Sequence, residues 1–156
     1  MAALLHDSAR RIREHVDQIL APLRPRIRSR GAVLLQKSVD EVLVALRRAG
    51  KVRRLELTIK ASADNITVFG DKDEIYQIVM NLLTNALDAL FDGGGGHRGA
   101  IEVSFHEDGD RVLLIVKDDG RGISQENVDR VFDPFYTTKG SLGTGLGLPV
   151  VRDIAR

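Results

Sequence analysis

Three separated stretches of this chain carry residue types suited to holding a nucleotide. Asn81 and Asn85 stand four apart in an apolar-periodic run, with Asp88 three further on, a spacing that puts all three on one face of a helix. Asparagine is a mediocre helix former because its amide competes for backbone groups. Its side-chain oxygen is a hard neutral ligand suited to Mg²⁺, which keeps several waters and completes its shell with phosphates. Asp118-Asp-Gly-Arg-Gly-Ile123 follows directly on an apolar run. A buried carboxylate at a strand end can accept a hydrogen bond from an exocyclic amine such as adenine N6, and glycines let a ligand approach the backbone. Gly143-Thr-Gly-Leu-Gly-Leu148 leads into a helix-like segment, and loop amides beside a helix N-terminus favour phosphate. The Gly-Lys-Ser/Thr ending of a P-loop is missing, Lys139 standing ahead of the glycines, and no strand directly precedes them as in a dinucleotide fingerprint. Taken singly, each stretch also has an ordinary reading: a solvated polar face, an Asp-Gly turn, a plain loop.

The elements that must position these residues are legible from periodicity. Asp71 with Glu74 forms a capping box opening the asparagine helix, whose apolar face is Ile75, Ile78, Val79, Leu82, Leu83, Ala86 and Leu90; Gly93 to Gly96 close it. Ile101, Val103 and Phe105 alternate as in a strand. A turn at Glu107 to Asp110 then leads to a buried-looking strand, Val112 to Val116, so that the two make an antiparallel hairpin. Upstream, Ser38 with Glu41 predicts a second capped helix bearing Val39, Val42, Leu43 and Leu46, ended by Gly50. Leu55, Leu57 and Ile59 alternate as a half-wet strand, and Ile66 to Phe69 predict another. Ser124 starts a short helix to about Val131, broken at Asp133-Pro134. After a mobile-looking segment, 137–144, a last helix runs from about Gly145 to Ala155, with Pro149 close enough to its start to be tolerated. At the other end Ala9, Ile12, Val16, Ile19, Leu20 and Leu23 form one amphipathic stripe, ended or kinked by Pro22 and Pro25. Such a stripe must dock on the rest of the chain or pair with another copy. The order predicts an α+β fold, a two-layer sandwich with a helical layer on a mixed, mostly antiparallel sheet.

Composition bounds the function. The chain has 156 residues, 43% of them hydrophobic and 29% charged, ordinary for a globular domain with an appendage. Cysteine is absent, which removes disulfides and thiolate metal sites and is compatible with the cytoplasm, the expected location. No apolar run is long enough for a membrane span, so membrane contact by this segment is not expected. The net charge of +1 hides an asymmetry: Lys and Arg outnumber Asp and Glu more than two to one over residues 1–60, and the reverse sign prevails afterwards. The early arginines are interleaved with apolar residues at helical spacing, and no aromatic precedes Phe69. This predicts a solvated helical face or an acidic protein partner rather than nucleic acid.

Taken together and in this order, Asn81-Leu-Leu-Thr-Asn-Ala-Leu-Asp-Ala89, Asp118-Asp-Gly-Arg-Gly-Ile123, Val131-Phe-Asp-Pro-Phe-Tyr-Thr-Thr-Lys139 and Gly143-Thr-Gly-Leu-Gly-Leu148 resemble the ATP-binding domain of sensor histidine kinases. That superfamily also holds gyrase, the Hsp90 chaperones and the MutL repair proteins. The resemblance spans residues 31–156, with residues 1–30 resembling the end of a dimerisation hairpin and its linker. It implies ATP and Mg²⁺ as cofactors, with Asn85 ligating Mg²⁺ and Asn81 and Asp88 on the same nucleotide-facing side. It implies that Asp118 takes the adenine amine while Gly120 and Gly122 line the base pocket. Phe132 and Phe135 look like an aromatic segment that steadies a lid, with ordinary core packing as the alternative. Thr138, Lys139 and residues 140–144, Thr144 among them, form the lid; Lys139 offers charge, and Gly143, Gly145, Leu146 and Gly147 close around the phosphates. Asn81 and Lys139 are the residues implied in catalysis.

Asn81 also bears on mechanism. In the hydrolysing branches of the superfamily a glutamate four residues before the metal-binding asparagine is the general base, and an amide cannot take a proton from water. MgATP binding with little hydrolysis is therefore expected, the γ-phosphoryl going to a histidine. His6-Asp7 is a poor acceptor because no hairpin fits between it and the Ala9–Leu23 stripe; His15, His97 and His106 have less support still. The acceptor is thus expected on a histidine-bearing dimerisation domain outside this chain, with a response regulator as the downstream partner and a possible homodimer through Ile12, Val16 and Ile19. The family's domain usually continues past the last helix into a glycine-containing turn and two strands, so a sheet truncated at its C-terminal strands is expected. The competing expectation is a nucleotide-responsive binding module, or an anti-sigma-like regulator, without histidine phosphotransfer.

Overall fold

In the computed structural model of the chain, residues 29–50, 52, 56–59, 66–91, 99–140 and 143–156 are described. The elements in chain order are β1 (Arg30–Leu34), α1 (Leu35–Arg48), β2 (Glu56–Ile59), β3 (Thr67–Asp71), α2 (Lys72–Phe91), β4 (Ala100–Asp108), β5 (Arg111–Asp118), α3 (Gln125–Val128) and α4 (Gly147–Ile154). β1 pairs antiparallel with β3, Arg30 opposite Asp71 through Leu34 opposite Thr67. β2, β4 and β5 form a second sheet in that order, β2 parallel to β4 and β4 antiparallel to β5. The α+β class, the helical layer and the mixed sheet are as expected. The Ala9–Leu23 stripe and the Gly93–Gly96 helix stop lie outside the described residues.

β1 has no counterpart in the sequence reading, and its presence changes how α1 begins. The chain passes straight from strand to helix with Leu34 at the N-cap and no side-chain cap. The first helical amide is satisfied by tertiary contact, Leu35 N donating to Ile66 O at 3.0 Å, which meets one of the four orphan donors of a helix start. Ser38 is therefore no cap. It lies inside the helix, 1% exposed, its hydroxyl buried without a hydrogen-bond partner. Asp71 does cap α2: its Oδ1 accepts from Asp73 N at 2.8 Å and Glu74 N at 3.3 Å.

The core lies between the two long helices and the second sheet. Val39, Val42, Leu43 and Leu46 of α1 meet Val79, Leu83, Ala86 and Leu87 of α2, over Ile101, Val103 and Phe105 of β4. Alternate residues of a strand face opposite ways, so only Val112, Leu114 and Val116 of β5 pack on this core, while Leu113 and Ile115 are exposed. β5 is thus buried on one face rather than throughout, because helices cover only one side of the sheet. The hairpin turn is two residues, Gly109 and Asp110, between the paired Asp108 and Arg111. Gly109 has φ 63°, the conformation that tight hairpins require of a central residue. Among the described residues no helix is long and apolar enough to cross a membrane.

Candidate nucleotide site

The site is built on the face of α2 turned away from the core. With Val79, Leu83, Ala86 and Leu87 buried, helical geometry leaves Asn81, Asn85 and Asp88 together on the partly exposed side. α4 packs against this helix and brings its first turn to the asparagines. A Cβ placed on Gly147 would lie 3.6 Å from Asn81 Oδ1 and 3.7 Å from Asn85 Nδ2. Leu146 N bonds Thr144 Oγ1 at 3.4 Å, and Val150 N returns to Leu146 O at 3.1 Å. Pro149 occupies the first turn, where its missing amide hydrogen costs nothing. The helix starts at Gly147 rather than Gly145, because Gly145 has φ 64° and serves the preceding turn.

Lys139 reaches the same face of α2 from the segment ahead of the glycines. Its ammonium donates to Asp88 Oδ2 at 2.7 Å and to Asn85 Oδ1 at 3.2 Å, and the side chains of the ion pair are 23% and 37% exposed. A cation thus already rests on the oxygen that the resemblance assigns to Mg²⁺. Lys139 N bonds Thr137 Oγ1 at 3.1 Å, and a Cβ on Gly143 would collide with that same Thr137 Oγ1 and lie 3.1 Å from Lys139 Cβ, so the glycine segment folds back on the Thr137 and Lys139 side chains. A Cβ on Gly145 would fall 2.6 Å from Tyr136 N, and Phe135 N donates to Gly145 O at 2.9 Å. Both glycines are required by close approach of chain to chain.

The Asp118 segment forms the third wall. Asp118 is partly exposed, not buried as the sequence reading required, and its Oδ1 accepts from Gly120 N at 3.0 Å. This Asx-type turn fixes the carboxylate at the end of β5. Asp119 Oδ1 accepts from Ala100 N at 2.8 Å, pinning the start of β4. A Cβ on Gly120 would collide with the end of α2, 2.7 Å from Ala89 C and 2.8 Å from its oxygen, and Arg121 N donates to that same oxygen at 3.3 Å. Gly122 has φ 68° with open space around it. Arg121 Nη2 bonds Thr138 Oγ1 at 3.3 Å, joining this wall to the lysine segment. Sequence reasoning missed Arg121, since nothing local marks an arginine as a tie between two loops.

The packing alternative for Phe132 and Phe135 does not hold. They are 39% and 68% exposed, and Phe135 has φ 67°, the one non-glycine in the left-handed region among the described residues. Tyr136 instead anchors this stretch: its hydroxyl donates to Asn127 Oδ1, and the Arg130 guanidinium lies 4.3 Å from its ring centroid. α3 itself ends at Val128, shorter than expected, with turns carrying the chain to Pro134.

The donor set suits Mg²⁺ held mainly by phosphates and water. Among the described residues no cluster of three or more His, Cys, Asp or Glu could hold an ion alone, whereas one neutral amide oxygen, already accepting a cation, is the contribution such a site needs. The family model described as "Histidine kinase-, DNA gyrase B-, and HSP90-like ATPase" matches residues 70–156, covering α2 and all three walls. The chain belongs to that family. Within it, this is a histidine-kinase-type catalytic, ATP-binding domain. The sensor histidine kinase ZraS of Salmonella typhi is 32% identical over 155 residues, 99% of this chain and 32% of the relative. The chain therefore spans about a third of the length of that relative. The catalytic domain of histidine kinase ThkA, in a nucleotide-free form, superposes with a TM-score of 0.69 at 28% identity, covering 81% of this chain and 79% of that one. Full-length ShkA in complex with AMPPNP shares the fold at a TM-score of 0.76 and 24% identity, over 97% of this chain and 32% of that one.

Proposed function

We propose that this chain binds MgATP and donates phosphate to a histidine in two-component signalling. The observation that carries the reading is the meeting of α2 and α4: Gly147 opens a helix within van der Waals reach of Asn81 and Asn85. The phosphate-favouring end of one helix thereby faces the metal-favouring amides of the other. MgATP supplies the γ-phosphoryl group. Asn85 offers its Oδ1 to Mg²⁺, and Asp118, through the oxygen not engaged by Gly120, accepts from the adenine amine. Gly120 and Gly122 leave room for the base; Gly143, Thr144, Gly145, Leu146 and Gly147 surround the phosphates; Thr138 and Lys139 cover them.

Asn81 occupies the position from which a base would act on water, and its amide cannot accept that proton. The chain's own contribution is then positioning and charge stabilisation, which suits transfer to a separately held nucleophile. In this proposal residues 31–156 are the ATP-binding domain, and residues 1–30 belong to the dimerisation segment and its linker. The acceptor histidine resides on a dimerisation domain, the next partner is a response regulator, and the location is the cytoplasm. ZraS, named a sensor histidine kinase, and AtoS, named a signal transduction histidine-protein kinase, support the histidine-kinase part of this reading.

The test measures MgATP binding by calorimetry for the wild type and Asn85→Ala, then adds γ-labelled ATP with a separately made dimerisation hairpin. Acid-labile label on the hairpin supports the proposal. Binding without label points to a nucleotide-responsive module, and absence of binding by the wild type refutes both.

A further inference from the structure

Lys139 is tied to its place by groups that a bound nucleotide must take over. Its ammonium sits on Asp88 Oδ2 and Asn85 Oδ1, residues more than 50 positions away in sequence, and the pair is only partly open to solvent. Mg²⁺ and an ammonium disfavour sharing Asn85 Oδ1, because two cations held on one amide oxygen repel each other. Any Mg-nucleotide that uses Asn85 must therefore take that oxygen from Lys139 and set a dication beside the ammonium, which weakens the Lys139–Asp88 pair. A triphosphate offers the displaced ammonium a new anionic partner at its third phosphate. A diphosphate offers no such group, so the weakening of the pair is not offset.

We propose that the Lys139–Asp88 pair is a latch that holds down the affinity of the site for every Mg-nucleotide, and that Lys139, once released from it, favours Mg-nucleoside triphosphate over Mg-nucleoside diphosphate, the product of the transfer. The inference rests on the nucleotide-binding reading above. Two features of the fold support a lysine that moves between two seats. Lys139 lies between Thr137, whose Oγ1 holds the Lys139 amide, and Gly140, whose φ of 55° marks a turn, so its backbone is fixed while its side chain has reach. Asp88 is on the rigid helix α2, so the first seat does not follow the lysine.

The two members of the latch have different expected phenotypes. Asp88→Asn removes the anion from the first seat and leaves the ammonium free for the third phosphate. Affinity for both MgADP and MgATP should rise, each about three- to tenfold for a half-buried ion pair, with their ratio unchanged. Lys139→Met removes the latch and also the phosphate partner. MgADP should tighten by the same factor while MgATP does not, so the ratio collapses. In the double variant Asp88→Asn should add nothing further, because its partner is gone.

Calorimetric titration of the full 156-residue chain and these three variants with MgADP and MgATP tests this, with melting curves confirming that each variant is folded. Failure of Asp88→Asn to tighten MgADP, or a loss of affinity, overturns the latch while wild-type binding leaves the nucleotide site standing. An undiminished ATP-to-ADP ratio in Lys139→Met also overturns it. No nucleotide binding by the folded wild type refutes the site and the latch together.

Discussion

Gly120→Ala should damage the protein through one contact. The added methyl would lie 2.7 Å from Ala89 C, 2.8 Å from Ala89 O and 2.8 Å from Asp118 Oδ1, and two of these three atoms are helix backbone that cannot rotate aside. Gly120 is not among the left-handed residues, so the penalty is steric rather than conformational. Overpacking of this kind costs about 1–3 kcal/mol. Separating β5 from the end of α2 would also stretch the bond from Arg121 N to Ala89 O, worth about 1 kcal/mol. A total of about 2–4 kcal/mol corresponds to a fall of about 5–15 °C in Tm for a domain of this size. The displaced turn carries Asp118, so affinity for an adenine nucleotide should fall more than affinity for inorganic triphosphate. Differential scanning calorimetry reads the first effect and competition binding the second. Gly122→Ala is the control, since its methyl meets open space and only the positive φ is penalised, about 1–2 kcal/mol. A Gly120→Ala protein with wild-type Tm and wild-type nucleotide binding would refute the reasoning.

Other expectations follow from single contacts. Asp71→Ala removes the acceptor of two first-turn amides and should cost about 0.5–2 kcal/mol in urea melts; no change would mean that water replaces the cap freely. Ser38→Ala deletes a buried hydroxyl without a partner and places the best helix former in α1, so stability should rise by about 1 kcal/mol. A lower urea midpoint for that variant would show that the hydroxyl has a partner in solution. Asn81→Glu puts a carboxylate where the amide stands and should raise phosphate release from MgATP above the wild-type rate, as a coupled phosphate assay reads; an unchanged rate would remove Asn81 from the account of why hydrolysis is slow.

The sequence by itself determined the parts whose causes are local. The capped, apolar-striped helix carrying Asn81 and Asn85 is specified by period and by Asp71, and the β4–β5 hairpin by alternation around Gly109. Both are found as read. The motif order likewise pointed to the family, because residue types and their succession are properties of the chain alone. β1 was not legible: Arg30 to Leu34 has no alternation, and it is a strand because β3 supplies its partner. The same pairing decided Ser38, since a helix entered directly from a strand starts four residues early, at Leu35 with Leu34 as its N-cap, and turns a would-be cap into the core.

Only the tertiary structure could decide the site's fine geometry. The Lys139–Asp88 pair, the packing of Gly120 on Ala89 and the tie from Arg121 to Thr138 each join residues that no local spacing relates. Asp118 was read as buried from the apolar run before it, yet the sheet is covered on one side and the turn lies at its margin, so the carboxylate stays partly open. Hydrogen-bonding and helix-forming preferences act over a few residues and are written in sequence. Burial, close approach and charge pairing depend on which elements the core brings together, and that is fixed when α2 meets α4 and the sheet.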